Sequence, residues 1–343
     1  MRQAPRDAVD YSRPQDSTVS LLYIGIALFY EVYYLISVRF MGGELFFDAA
    51  EVWLPIAKGI ANGGSLYVEP LTDNKSPVWH ALNYLVYQTG HYTPVFILLT
   101  AVANATVAFL LYRWLANSNY RKGGVIAGLL YLAATPFVYG TIINVRSFAM
   151  VCVLAALLST TPIRRGVWTA LAVLLSQYSI FAIPILALTG SRQSENAIRW
   201  LQKYCVTGAL VGVLAFMPLL YWGTDVLVAG VQQSFLNAGN YVLTHADHGN
   251  PFTNPGTYIE NHARMVRQLL FLLVPSAIVI VQRLRSPRKW ALDAFAIAVA
   301  LAVSFGITLL LRSLQYYWLP PSVFLAAIVG IGVESWFTPP RTD

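Results

Sequence analysis

The stretch from Phe47 to Pro77, FDAAEVWLPIAKGIANGGSLYVEPLTDNKSP, holds four of the chain's sixteen carboxylates: Asp48, Glu51, Glu69 and Asp73. A carboxylate beside an attacking hydroxyl can accept its proton as a bond forms. Asp48 and Glu51 stand about one helical turn apart, which makes them neighbours on a helix surface. Taken alone, an Asp-x-x-Glu pair matches neither a metal site nor a catalytic dyad. Its other reading is two solvated carboxylates on a helix that merely closes a bundle. Tyr67 and Lys75 lie in the same stretch and His80 follows it. A second polar stretch, 224–264, carries His245, Asp247, His248, Asn250, Tyr258, Glu260, Asn261, His262 and Arg264. Polar and aromatic side chains of this kind suit carbohydrate, and a lid built from them would keep water out. His245, Asp247 and His248 are the residues able to hold a metal. No metal is indicated, however, and no cofactor is expected. A third group, Arg312, Gln315, Tyr316 and Tyr317, fits either an anion site or an aromatic belt at a membrane boundary.

The elements that must position these residues are membrane helices. The chain has 343 residues, 57% hydrophobic and 11% charged, with a mean hydropathy of +0.55. A soluble domain carries roughly 25% charged residues. The apolar runs are long and continuous, whereas barrel strands would alternate. The expected fold is therefore an all-α, polytopic transmembrane helical bundle. Its apolar runs predict about ten membrane segments: 18–38, 77–90, 93–116, 123–141, 145–161, 166–189, 203–223, 265–282, 290–311 and 316–333. The segment 77–90 is short and carries His80, Asn83 and Gln88, so it either crosses as a short span or is partly re-entrant. Residues 1–17 read as a cytoplasmic tail without a signal-peptide layout, which makes the first apolar run a retained span. Residues 18–334 read as one membrane domain, with outer loops at 39–76 and 224–264, and 335–343 as a second cytoplasmic tail. Cys152 and Cys205 fall in or beside spans and form no disulfide or zinc pattern.

The formal charge of +7 does not point to nucleic acid. The basic residues sit in short clusters between apolar runs, as in loops that orient a membrane protein. Arg192, Arg199 and Lys203 mark one cytoplasmic loop, and Arg283, Arg285, Arg288 and Lys289 another. With every segment crossing, Arg113, Arg121, Lys122, Arg164 and Arg165 would lie outside, against the positive-inside trend. A second arrangement satisfies the trend: 77–90 does not cross, and 166–190 folds back as two half-helices broken near Gln177 and Tyr178. In the first arrangement Arg146 lies near the cytoplasmic side, in a structural or lipid-facing role. Gln177 to Ser179 then hydrogen-bond between spans.

Within the first outer loop, Ala49, Trp53, Ile56 and Ile60 make one apolar face of an amphipathic helix lying in the interface. Pro55 removes a backbone donor, so a kink or a new helix is expected there. Glu51 has Lys58 on the same face as a pairing partner. Gly59, Gly63 and Gly64 then end the helix.

Asp48, then Ala57-x-Gly59, then Leu66-Tyr67, then Lys75-x-Pro77 resembles the first outer loop of GT-C-type membrane glycosyltransferases. These include protein O-mannosyltransferases, the aminoarabinose transferases of lipid A, and related enzymes using polyprenyl-phosphate sugars. The ending Arg312-Ser-Leu-Gln-Tyr316-Tyr317-Trp-Leu-Pro320 resembles the segment that opens a late span and approaches the lipid phosphate in that superfamily. The resemblance covers the topology of the whole chain but few residues. Many relatives have Lys-Pro-Pro where this chain has Lys75-Ser76-Pro77, and an acidic residue near Arg146.

The resemblance implies an inverting transfer of a sugar, a hexose such as mannose, from a polyprenyl or dolichyl phosphate to a hydroxyl on a lipid-linked glycan. It implies Asp48 as the base, with Glu51 as its fallback. Lys75 and Arg312 would hold the leaving phosphate, although a snorkelling anchor is the other reading of each. Tyr67, His80, Glu260, His262, Tyr316 and Tyr317 would bind substrate. The implied partners are the lipid-linked donor, the glycan or lipid-linked acceptor and membrane lipid. The implied location is the plasma membrane, with the site on the extracytoplasmic face. Two other classes stay open. A lipid or glycolipid transporter would carry charges deep in its spans; here Glu31, Arg146 and Asp293 are the exceptions in nearly charge-free interiors. An assembly subunit would dock a partner on 224–264.

Overall fold

The computed structural model of the chain describes residues 14–41, 46–192, 194–236, 251–285, 293–310 and 312–337. The fold is helical, with no strand among the described residues. Helix α1 spans Pro14–Phe40, α2 Leu54–Ala61, α3 Pro77–Gln88, α4 Tyr92–Asn117 and α5 Arg121–Ala134. Then follow α6 Val145–Leu158, α7 Pro162–Leu175, α8 Ile183–Ser191, α9 Ala197–Phe216 and α10 Thr224–Val231. The last four are α11 Pro255–Gln268, α12 Leu270–Arg285, α13 Ala294–Gly306 and α14 Leu319–Phe337.

Short polar caps fix many of the starts. The side chains of Asn144, Thr161, Asn196, Asn254 and Asp293 accept from backbone N–H groups in the first turns of α6, α7, α9, α11 and α13. Such caps satisfy donors that a helix leaves unpaired, which matters most where water is scarce.

Among the described residues, four helices are long and apolar enough to cross a membrane: Asp16–Phe40, Tyr92–Asn117, Ala197–Trp222 and Gln315–Trp336. A fifth is obtained if α11 and α12, bent by 77° at Leu269, count as one. This corrects the expectation of about ten membrane segments. Helices Val145–Leu158, Gln177–Ser191 and Ala294–Leu310 are apolar but shorter. The expected single span 166–189 is two pieces. Ser176 is extended, a 3₁₀ turn covers Gln177–Ala182, and α8 begins with Pro184 in its first turn. Pro184 has no N–H to give to the turn before it, so a continuous helix is not available there.

The helices alternate between two ends of the bundle. At one end the Asp16 carboxylate accepts from Tyr112 (2.7 Å), Arg113 (2.9 Å) and Arg121 (3.1 Å). Nearby, the Glu334 carboxylate accepts from the Gly123 N–H, and Trp336 donates to Gln282. This joins the start of α1, the end of α4, the start of α5 and the ends of α12 and α14. At the other end, Phe46 meets Tyr316, and the Ser76 hydroxyl donates to the Leu174 carbonyl. Helix α3 has both its ends here. Its start is tied to the end of α7, and its last turn leads through Thr89, Gly90 and His91 into the start of α4. Of the two arrangements open for 77–90, the 12-residue helix beside the first turns of α4 fits the one in which it does not cross.

Helix α14 is central and largely buried, whereas α1 and α9 flank the bundle and are mostly exposed. Their outward faces carry Leu21, Phe29, Val32, Val206, Leu210 and Val213. An apolar surface of that extent suits lipid rather than water. A second, smaller core lies under the first loop: Ile56, Leu66, Tyr67, Leu174, Phe216, Leu219 and Val226.

Candidate functional site

The first loop opens with a π-helical turn, Asp48–Trp53, in which the Leu54 N–H reaches back five residues to the Ala49 carbonyl. Pro55 explains the wide turn: it cannot make the next backbone bond, so the register resets where α2 begins. Ala49, Trp53 and Ile56 are buried, as the amphipathic pattern requires, and Ile60 is half-buried. Asp48 is half-buried at the head of this turn, and Glu51 and Lys58 are exposed.

Behind the turn lies a hub that the sequence reading had not singled out, Asp73. One of its oxygens accepts from the Trp53 indole N–H (3.2 Å) and the other from the Asn74 N–H (2.7 Å). His80 Nε2 lies 3.4 Å from the same carboxylate but is misaligned for a hydrogen bond. Its side chain is fully buried, and that burial pushes the imidazole down to about 4 despite the carboxylate. His80 is therefore neutral at pH 7 and closed off from substrate. Lys75 Nζ donates to the Asn74 side chain (2.6 Å). Tyr67 is also buried. Its hydroxyl donates to the Lys75 carbonyl (2.6 Å) and lies 3.3 Å from Ser234 Oγ, and burial raises its pKa. Gln177 donates to the carbonyls of Asn74 and Ser234. Lys75 thus sits on a backbone held from three sides by residues distant in the chain.

Across from this hub lies a second group. The Arg146 guanidinium sits 4.2 Å from the Tyr316 ring centre, 4.3 Å from Tyr317 and 5.8 Å from Tyr178. The Tyr178 and Tyr317 hydroxyls are 3.0 Å apart. Arg312 is fully buried, and both arginines lie within electrostatic reach of the Tyr178 hydroxyl. Arg146 thus stands at the Tyr316 end, opposite the Asp16 end, whereas a straight ten-span count expects it near the cytoplasmic side. The signal available in sequence was the positive-inside trend, which favours the arrangement that moves Arg146 across.

Arg165 is the internal comparison. It is equally buried, but it donates to the carbonyls of Ser159, Leu157 and Leu186 and to Thr189 Oγ1. No guanidinium N–H of Arg146 donates to a described residue, and no described carboxylate lies within ion-pair distance. Cation–π contacts contribute about 0.5–2 kcal/mol each. The Arg146 nitrogens are not among the fully buried polar atoms without a partner, so its five N–H donors border open space where a ligand could bond.

The other expected residues divide. His262 lies 3.0 Å from the Leu309 carbonyl and edge-on to Trp318, which fastens α11 to the chain on either side of Arg312. Tyr258 and Asn261 add bonds to Leu309 and Ser313. Glu260 is exposed and pairs only loosely with Arg264, at 3.6 Å. His245, Asp247 and His248 lie outside the described residues. Among the described residues no group of three His, Cys, Asp or Glu side chains could hold a metal. Phe46 joins the two groups, touching Trp53 on one side and Tyr316 on the other.

An apolar cavity of about 290 Å³ opens between α7, α8 and α9. Gly166, Leu174, Tyr204, Gly208, Gly212 and Phe235 are among its walls. Its Leu174 and Phe235 end adjoins the Lys75 loop, because Leu174 accepts from Ser76 and Ser234 contacts Tyr67. No family model matches the chain, and no curated protein is similar to it.

Proposed function

We propose that the chain is an inverting membrane glycosyltransferase. It takes a sugar, a hexose such as mannose, from a polyprenyl or dolichyl phosphate and passes it to a hydroxyl of a lipid-linked glycan. One observation carries the reading. The Phe46–Tyr316 contact brings the segment that carries Asp48 to the segment that carries Arg312, from opposite ends of the sequence. Asp48 accepts the proton of the acceptor hydroxyl. The acceptor oxygen bonds to the anomeric carbon while the bond from that carbon to the phosphate oxygen breaks, and the electron pair leaves on the phosphate. Lys75 and Arg312 offset the charge that develops there. Glu51 orients the acceptor. The cavity beside α9 takes the apolar tail.

In this reading the bundle makes about ten passes of uneven length. Four are long helices and one is α12 continuing α11; α5, α6, α7, Gln177–Ser191 and Ala294–Leu310 are the short ones. A helix of about 14 residues covers only ~21 Å, so the short passes continue through their 3₁₀ and turn segments. The Asp16 end faces the cytoplasm, since Arg113, Arg121, Lys122, Arg283 and Arg285 gather there. The Trp53 end is extracytoplasmic, in the plasma membrane.

A second reading, a glycolipid transporter, draws on Glu31. This carboxylate is 2% exposed within α1 and accepts from Asn104 at 3.4 Å. Ionisable groups inside a span commonly mark a transport path.

The test is sugar transfer by the purified wild type and Asp48→Asn proteins from a synthetic polyprenyl-phosphate sugar. The variant keeps the shape and loses the base, so transfer should fall by about 10²–10⁴-fold. Undiminished transfer would remove Asp48 from the mechanism. A wild type that transfers nothing, yet moves a labelled glycolipid across a bilayer in a Glu31-dependent way, would favour the transporter.

A further inference from the structure

Arg146 is 92% buried, being 8% exposed, and its guanidinium makes no hydrogen bond to the described residues. Two rings, Tyr316 and Tyr317, stand 5.0 Å apart and tilted by 32°. The guanidinium lies nearly equidistant from both ring centres, contacts that use none of its N–H donors. Arg165 rules out the simplest alternative, a guanidinium that staples the bundle, because a stapling arginine in this protein spends its donors on carbonyls. Of the two hydroxyls shared by Tyr178 and Tyr317, one proton is used between them, so one O–H stays available. Arg312 adds a second positive charge near Tyr178. Arg146 is also the second residue of α6, where the helix dipole favours an anion.

We infer that Arg146, framed by Tyr178, Tyr316 and Tyr317, is the ligand of a phosphate group at the Trp53 end of the bundle. Planar, forked donors match phosphate oxygens two at a time, and a free tyrosine hydroxyl supplies a further donor. Phosphate chemistry has two sources here, the headgroup of a phosphorylated lipid or free inorganic phosphate. The inference deepens the transferase reading, and rests on it only for which of these arrives. It adds to Lys75 and Arg312 a cation that forms no hydrogen bond or ion pair among the described residues.

The experiment uses the full chain in phosphatidylcholine nanodiscs. Equilibrium binding of radiolabelled geranylgeranyl phosphate is measured for wild type, Arg146→Gln and Arg146→Lys, with melting temperatures taken in parallel. Saturable binding is expected for wild type, weaker by about 10-fold or more in Arg146→Gln and by less in Arg146→Lys. Unlabelled geranylgeraniol should not compete. Inorganic phosphate that competes at millimolar concentration marks free phosphate as a ligand, and failure to compete marks the lipid headgroup; either outcome supports the site. Equal affinity in wild type and a folded Arg146→Gln protein overturns it, as does a wild type that binds neither phosphate. Should Arg146-dependent binding persist while no donor supports transfer, the transferase reading fails and this site remains.

Discussion

Tyr67 sits at a φ of +65°, a left-handed conformation uncommon for a residue other than glycine. Its hydroxyl bond to the Lys75 carbonyl is what recovers that cost, so the ring serves to hold Lys75 in position. Tyr67→Phe should lower stability by about 1–2 kcal/mol and shift the melting temperature down by a few degrees. It should weaken donor binding more than the chemical step, which a comparison of KM with kcat would reveal. His80 makes a prediction in pH. Its imidazole is held near 4 when folded and titrates at about 6.5 when unfolded. Between those values the unfolded chain binds more protons, so stability is present above about 6.5 and is lost as pH falls toward about 4. The apparent melting temperature of the wild type should drop across that window by roughly 2 °C or more per pH unit. His80→Gln should flatten the slope; an unchanged slope would assign the effect to other groups.

Among the elements, α5 and α14 approach most closely at Gly123 and Gly330. A Cβ on either glycine would land on the other's carbonyl oxygen. Close backbone approach through small residues is how helices associate where lipid surrounds them. Gly330→Ala should cost about 1–3 kcal/mol through overpacking, read as a lower melting temperature in detergent. Gly25→Ala on α1, which meets nothing within 4 Å, should be neutral. Arg165 belongs to this scale as well. Arg165→Met strips its bonds to the ends of α6 and α8 and exposes their carbonyls, so it should cost about 3 kcal/mol or more. The functional end is affected only indirectly, since Arg165 lies toward the opposite end of α7 from Leu174.

For the whole molecule, the decisive feature is that α3 begins and finishes at one end. Single cysteines, introduced after replacing Cys152 and Cys205, test it by labelling with a membrane-impermeant reagent. Cysteines at Glu69 and His91 should label from the same side, and those at Lys122 and Arg164 from the other. Labelling of His91 from the side opposite Glu69 would restore a crossing at 77–90 and dismantle the ten-pass arrangement. The same arrangement gathers the basic residues at the Asp16 end. It leaves Arg146, Arg312 and the tyrosines at the opposite end, where a lipid headgroup would meet them.

The helical membrane class, the amphipathic face of Ala49, Trp53 and Ile56, and the clustering of basic residues were all legible in the sequence. Each depends on composition or on a short period, and both are local. The break near Gln177 was also legible as one of two arrangements, because the charge pattern points to it. Local pattern could not choose between those arrangements, for a 12-residue apolar stretch such as α3 reads alike whether it crosses or turns back. Asp73 as a hub, Lys75 held by Tyr67 and Gln177, and Arg146 against Tyr316 and Tyr317 were decided only by tertiary structure. Apart from the Asp73 contacts with Asn74 and His80, these join residues from 8 to 171 positions apart, and their partners are set by which helix ends meet. Burial then altered what the individual residues can do. His80, which the resemblance implied would bind substrate, is sealed behind Asp73. Arg146, which the straight count consigned to the cytoplasmic side, is left with its donors facing an anion site.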